Sequence, residues 1–238
     1  MLTNIFLKIA YSFNMRTARV TVQRQVEYVV GLDWLQKAYL SVLDGRTDSA
    51  NQIEEVGFFE HNPVYTLGAR ANRTNLIKPE SELVAPLVQT NRGGDITFHG
   101  PGQIVCYPVL DLNSRQLKIG EYIRALESII ITTLRTIGLD PKRITDLPGV
   151  WIGENKIAAL GVRLRNGISQ HGFAINVSTD LNWYESIVPC GIENYGVTSV
   201  ERTDVQVEFD ELIESLTTKL FSYFGIHDYS PLKTPSYL

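Results

Sequence analysis

Three stretches of the chain repeat apolar residues at helical spacing. In residues 31–45, GLDWLQKAYLSVLDG, the side chains Leu32, Leu35, Tyr39, Val42 and Leu43 share one side. That 3.6-residue period predicts an amphipathic helix, with Gly45 as its stop. Residues 119–138 do the same with Ile119, Ile123, Leu126, Ile130, Leu134 and Ile137, ending at Gly138. Residues 209–225 follow with Phe209, Leu212, Ile213, Leu216, Leu220 and Phe224, closed by Gly225. Strand-like runs fill the intervals: ARVTVQRQVEYVV, EEVGFFEH, PVYTLG, QIVCYPVLDL, GVWIG, KIAALGVRLR and ISQHGFAINV. The strands outnumber the helices and several are joined by short turns. The pattern predicts an α+β fold with mixed, largely antiparallel sheets and packed helices, not a doubly wound sheet.

One hairpin can be registered from sequence. Asn166-Gly167 suits a two-residue type I′ turn, which needs positive φ at both positions. Arg165 then faces Ile168, Gly161 faces Gly172, and Ala159 faces Ala174. The last four share a face, because side chains alternate along a strand. They form a patch almost without side chains: either a seat for a helix, or a floor on which a ligand lies against backbone. On the other face Leu160 meets Phe173 and Val162 meets His171, which reads as core. Lys156 also falls on the face opposite the patch.

The chain has 238 residues, 44% of them hydrophobic and 20% charged, enough to pack a core. We expect one catalytic domain over residues 16–238. Residues 1–15, MLTNIFLKIAYSFNM, read as a flexible extension: Lys8 breaks the apolar run and no A-x-A-like cleavage site follows. No apolar stretch reaches the length of a transmembrane helix. The net charge of −4 gives no case for nucleic-acid binding. The early arginines, among them Arg70 and Arg73, read as solvated surface or as docking points for acidic partners. The two cysteines, Cys106 and Cys190, have no metal-ligand spacing and imply a reducing compartment, hence a cytoplasmic protein without a metal.

Three segments carry candidate chemistry. NRGGDITFHGPGQ, residues 91–103, lacks the Gly-Lys-Ser/Thr of a phosphate loop and leads into a strand where a dinucleotide loop needs a helix. Its glycines instead set Arg92, Thr97 and His99 beside open backbone. Cys190, between Pro189 and Gly191 in a turn, is a candidate nucleophile if a cation, a histidine or a helix N-terminus favours its thiolate. Cys106, inside an apolar strand, is the inert kind. Lys156 begins an apolar strand and is either a surface lysine or one entering a poorly hydrated site.

Together RGGDITFHGPGQIVCYPVLDL, NKIAALGVRLRNGISQHGFAINV and PCG resemble the lipoyl(octanoyl) transferases, also called lipoate-protein ligase B. The likeness runs from about Arg19 to Phe224. It implies a fold similar to the catalytic domains of biotin and lipoate protein ligases. It also implies an acyltransferase that needs no cofactor. The octanoyl donor would be octanoyl-acyl carrier protein. The acceptor would be a lysine on lipoyl domains of 2-oxoacid dehydrogenase E2 subunits and the glycine-cleavage H protein. By this resemblance Cys190 carries an acyl-thioester and Lys156 completes a Cys/Lys dyad. The acyl site is formed by Arg92, Gly93, Gly94, Asp95, Ile96, Thr97, Phe98 and His99, by Ala159, Leu160 and Gly161, and by Gly172, Phe173 and Ala174. An ATP-dependent ligase, a cysteine thioesterase and a binding module with a silent site are the other readings.

Overall fold

The computed structural model describes residues 16–47, 53–192 and 195–230; the expected extension lies outside them. Along the chain come β1 (Arg16–Val26), α1 (Tyr28–Asp44), β2 (Ile53–His61), β3 (Val64–Leu67), β4 (Leu87–Gln89) and β5 (Ile96–His99). Next are β6 (Gln103–Val109), α2 (Ile119–Thr136), β7 (Lys142–Ile144), β8 (Leu147–Ile152), β9 (Asn155–Arg165) and β10 (Ile168–Asn176). The last are β11 (Gly196–Val197), α3 (Phe209–Phe224) and β12 (Ile226–Ser230). The main sheet has the order β12-β1-β2-β6-β10-β9-β8-β7, with β11 beside β9, and a small sheet runs β4-β3-β5. The β12, β1 and β2 strands are parallel, whereas β2 through β7 pair antiparallel. This is the mixed, mostly antiparallel α+β arrangement that the strand-rich pattern predicts.

Both faces of the main sheet are covered. Phe58, Ile104, Cys106, Phe173 and Ile175 pack against Leu126, Ile130 and Leu134 of α2 and Leu216 and Leu220 of α3. The opposite face, with Phe59, Val105, Tyr107 and Ala174, packs against Leu35, Tyr39 and Val42 of α1. Each such side chain contributes about 1.5–3 kcal/mol by leaving water. A third cluster joins Tyr65, Leu67, Ile96 and Phe98 of the small sheet to Tyr184 and Ile187.

Several boundaries differ from the sequence reading, and β4, β5, β7, β11 and β12 are short strands it did not separate out. Residues 28–30 belong to α1 rather than to the first strand: Tyr28 and Gly31 are buried while Val29 and Val30 are exposed, a helical and not an alternating pattern. Gly45 stays right-handed (φ −62°) and leads into a short 3-10 turn. Gly225, in contrast, adopts φ 64° and caps α3 with its N–H on the Phe221 carbonyl, as a C-terminal glycine should.

The hairpin register holds: Arg165 pairs with Ile168, Gly161 with Gly172 and Ala159 with Ala174. On its other side β9 pairs with β8 only as far as Ala158, opposite Val150. The stretch 159–162 is therefore an open edge, and the glycine-rich loop docks there through Gly93 N–H to the Val162 carbonyl (2.9 Å).

Candidate active site

The loop and the hairpin fit because both present glycine at their crossing. A methyl on Gly93 would stand 2.8 Å from the Val162 oxygen, and one on Gly161 would stand 3.0 Å from the Gly93 oxygen. Past the crossing, Asp95 accepts from its own neighbour Ile96 N–H (2.6 Å), from Asn72 N–H (3.1 Å) and from Asn75 Nδ2 (2.7 Å). That carboxylate ties the loop to the segment whose Asn75 carbonyl accepts from Val188 N–H (2.7 Å), two residues before Cys190. Cys190 sits in a short turn, Pro189–Gly191, at φ 59° and ψ 14°. A left-handed conformation is uncommon for a residue with a side chain, and strain of this kind gathers at functional sites.

Two spaces meet at Cys190. On the α1 face of the sheet a cavity of about 450 Å³, its mouth included, is lined by Tyr28, Tyr107, His171, Ala159, Gly161, Gly172 and Ala174, and by Arg92, Gly94, Asp95, Thr97 and His99 of the loop. On the α2 face a wider groove runs between Ile119, Ile123, Pro148, Leu160 and Lys156. Cys190 borders both. Lys156 also shares with Cys190 a smaller recess against Thr97, Asn176 and Tyr184. An unbroken register would place Lys156 opposite the Ala/Gly patch, but the β8–β9 ladder shifts by one residue between Val150–Ala158 and Trp151–Lys156. This bulge reverses the alternation, so Lys156 falls on the patch's side of β9 and lines the recess with Ala159 and Ala174. The Lys156 side chain is buried, its ammonium 4.8 Å from the Trp151 ring centre.

The small-residue patch is a cavity floor: Ala159, Gly161, Gly172 and Ala174 all line the cavity, with Ala174 also packed toward α1. Gly172 has a second reason to lack a side chain, since a methyl there would collide with the Cys106 carbonyl of β6. His171 departs from the expected core placement. Its φ is 55°, and its ring lies in the cavity wall, edge-on to Tyr107 and hydrogen-bonded through Nε2 to Asn91 Oδ1 (2.8 Å). Within 92–99 the strand alternation divides the residues. Thr97 and His99 face the cavity, whereas Ile96 and Phe98 fill the third core cluster, Phe98 stacked on Trp183. Gly93 borders the groove. Leu160 and Phe173 border the cavity while packing toward the main core.

Burial makes the cavity's histidines, and His61 beside them, neutral. It lowers His99 to about 3, helped by nearby His61 and Arg92, lowers His171 to about 3, helped by Arg92 and Arg163, and lowers His61 to about 4. His99 donates from Nδ1 to Gln103 Oε1 (2.7 Å), and Gln103 Nε2 donates on to Asn176 Oδ1 (2.9 Å) and Tyr184 Oη (3.1 Å). This leaves His99 Nε2 as an acceptor, and burial, which lowers the ring to about 3, makes it a weak base. Tyr28, Tyr107, Gln103, Asn176 and Tyr184 were not singled out by the sequence. Tyr28 lay in an apparent strand end, Tyr184 in an irregular stretch, and the others in runs whose pattern signals only burial. Among the described residues no cluster of three or more metal-ligating side chains occurs, and no helix is long and apolar enough to cross a membrane.

The family description "Lipoyl protein ligase A/B catalytic domain" matches residues 40–221. An octanoyltransferase from Solibacter usitatus is 47% identical over 66% of this chain and 73% of its own length. One from Thermoanaerobacter sp. (strain X514) is 37% identical over 90% of this chain and 92% of its own. In fold the chain is similar to a lipoate-protein ligase A bound with ATP (TM-score 0.69, 19% identity, 92% and 90% of the two chains). It is similar too to the bi-partite lipoate protein ligase of Thermoplasma acidophilum (TM-score 0.68, 19% identity, 92% and 88% of the two chains). The chain belongs to the lipoyl(octanoyl) transferases of the lipoyl protein ligase A/B catalytic-domain family, acyltransferases of octanoyl transfer in protein lipoylation.

Proposed function

We propose that residues 16–238 form one catalytic unit that moves an octanoyl group from octanoyl-acyl carrier protein to a lysine of lipoyl domains, through a thioester on Cys190. The acceptors are lipoyl domains of 2-oxoacid dehydrogenase E2 subunits and the glycine-cleavage H protein. The observation that carries this reading is that Cys190 and Lys156 border one groove, while Cys190 also borders the cavity on the far face of the strand. An acyl chain in the cavity puts its carbonyl at the thiol, and the groove leaves room for a donor and then an acceptor to approach that same carbon.

The Cys190 thiolate attacks the donor thioester. A carbon–sulfur bond to Cys190 forms, the bond to the donor sulfur breaks, and the departing thiolate takes a proton from the Lys156 ammonium. One thioester replaces another, so no ATP is consumed. The neutral Lys156 amine then accepts the proton lost by the acceptor amine as that nitrogen bonds to the acyl carbon. The bond to Cys190 sulfur breaks, and thiolate and ammonium are restored. Chain length is set in the cavity, where each buried methylene contributes about 0.8 kcal/mol.

Octanoyl-acyl carrier protein, a lipoyl domain and the enzyme, mixed without nucleotide, are expected to give an octanoyl amide on the acceptor lysine. Transfer that requires ATP would assign an adenylating ligase instead. Octanoate release in the absence of acceptor, with no amide formed in its presence, would assign a thioesterase. Carrier-protein binding with no turnover would leave a silent binding module.

A further inference from the structure

Arg92 is a buried cation with no anion beside it. It is 7% exposed, and no Asp or Glu among the described residues lies within ion-pair distance. Its guanidinium is held by neutral acceptors. Nη2 donates to the Thr66 carbonyl (2.6 Å) and to Thr66 Oγ1 (2.9 Å), Nε to the same Oγ1 (3.2 Å), and Nη1 to the Gly93 carbonyl (3.1 Å). The nearby carboxylate, Asp95, is committed to Ile96, Asn72 and Asn75. The fold keeps room for this group. Methyls on Gly68, Gly94 and Gly161 would stand 3.0, 3.4 and 3.5 Å from Nη1. Other ion-paired arginines sit differently: the well-buried Arg115 faces the Glu54 carboxylate, and Arg46 faces Asp111.

A buried cation is costly unless an anion appears beside it. A saturated acyl chain supplies none. Arg92 and Cys190 line the same cavity, and burial pulls the guanidinium toward its neutral form while Tyr28, Cys190, Tyr107 and, more weakly, Asp95 oppose that pull. Resting on the thioester reading above, we propose that Arg92 acts on charge: it is the fixed cation that stabilises the Cys190 thiolate, leaving Lys156 free to carry protons. The division suits the two side chains. A guanidinium stays charged throughout the cycle, whereas a lysine gains and loses its proton. Lys156, Asp95, Tyr184 and Arg92 border the spaces that meet at Cys190, as do His99, His171, Tyr28 and Tyr107 in the cavity and Arg70 and Asp146 in the groove.

The test is the alkylation rate of Cys190 by iodoacetamide across pH, read by peptide mass, in wild type, Arg92→Lys and Arg92→Met. Chain-length preference among hexanoyl, octanoyl and decanoyl donors is measured alongside. The expected result is an alkylation rate about tenfold lower at neutral pH in Arg92→Met, a midpoint moved to higher pH, substantial recovery in Arg92→Lys, and an unchanged ratio among donors. An unchanged alkylation profile in Arg92→Met, with only the donor ratio altered, would reduce Arg92 to a wall of the acyl cavity and overturn the proposal. If Arg92→Met does not fold, Arg92→Gln keeps a polar donor for the Thr66 carbonyl without the charge; a folded Arg92→Gln enzyme with a wild-type alkylation profile would equally overturn it. An octanoyl adduct on wild-type Cys190 keeps the two ideas apart. If the adduct is absent the thioester reading fails, and if it forms while alkylation is indifferent to residue 92, only the role of Arg92 fails.

Discussion

The two cysteines of this chain share a side chain and nothing else. Cys106 lies in β6 with Phe58 and Phe173, fully buried, and burial pushes its thiol well above the usual range. Cys190 lies in a three-residue turn, partly exposed, in a left-handed conformation, where an apolar cavity and an open groove meet. A regular strand seals a sulfur into the core on both sides. A turn at the open edge of a strand can offer one sulfur to both faces of a sheet. On the proposed reading, the reactivity of Cys190 follows from which element carries the thiol and what cations it meets.

The contrast is broken most sharply by exchanging the roles. Cys190→Ser is expected to lose transfer about 10³-fold or more, with a folded protein by circular dichroism. Cys106→Ala is expected to retain transfer within about twofold while losing about 1–2 kcal/mol in urea unfolding. Near-normal turnover of Cys190→Ser would refute the assignment. Lys156→Met sharpens the other half of the proposed dyad: a loss of about 10²–10⁴-fold in kcat is expected, with little change in donor KM.

The neutral histidines of the cavity, and His61 buried beside them, make stability sensitive to acid. His99, His171 and His61 bind protons in the unfolded chain near pH 6.5 but in the fold only near 3, 3 and 4. Their contribution is complete above pH 6.5 and is lost as pH falls below it, by up to about 1.4 kcal/mol per pH unit for each imidazole. Urea midpoints measured from pH 7 to pH 4.5 are expected to fall steeply; a flat profile would show these rings to be solvated. The smallest effect is on chain length. Ala159→Leu fills part of the floor and should shift preference toward shorter donors, by roughly fourfold for each methylene displaced.

Much of this was legible in the sequence. Asn166-Gly167 fixed the pairing of Gly161 with Gly172, and the periodic stretches located the three helices. The resemblance singled out Cys190, Lys156 and the loop, and all three border shared space. What was not legible depends on long-range geometry. Ending the β8–β9 ladder at Ala158 opens the edge at which Cys190 reaches both faces, and nothing local marks that end. His171 escaped because one positive φ within a strand reverses what alternation predicts. Tyr28 escaped because a helix begins where β-branched Val29 and Val30 suggest a strand. That neutral acceptors of Thr66 hold the Arg92 guanidinium is a property of the packed site and of no motif.

The most direct measurement is the intact mass of the enzyme after brief exposure to octanoyl-acyl carrier protein without acceptor, followed by peptide mapping. The account predicts one octanoyl group, carried on Cys190 and discharged when a lipoyl domain is added. Undiminished transfer to the acceptor with no acyl-enzyme, or an octanoyl group on any other residue that discharges as fast as product forms, would contradict it.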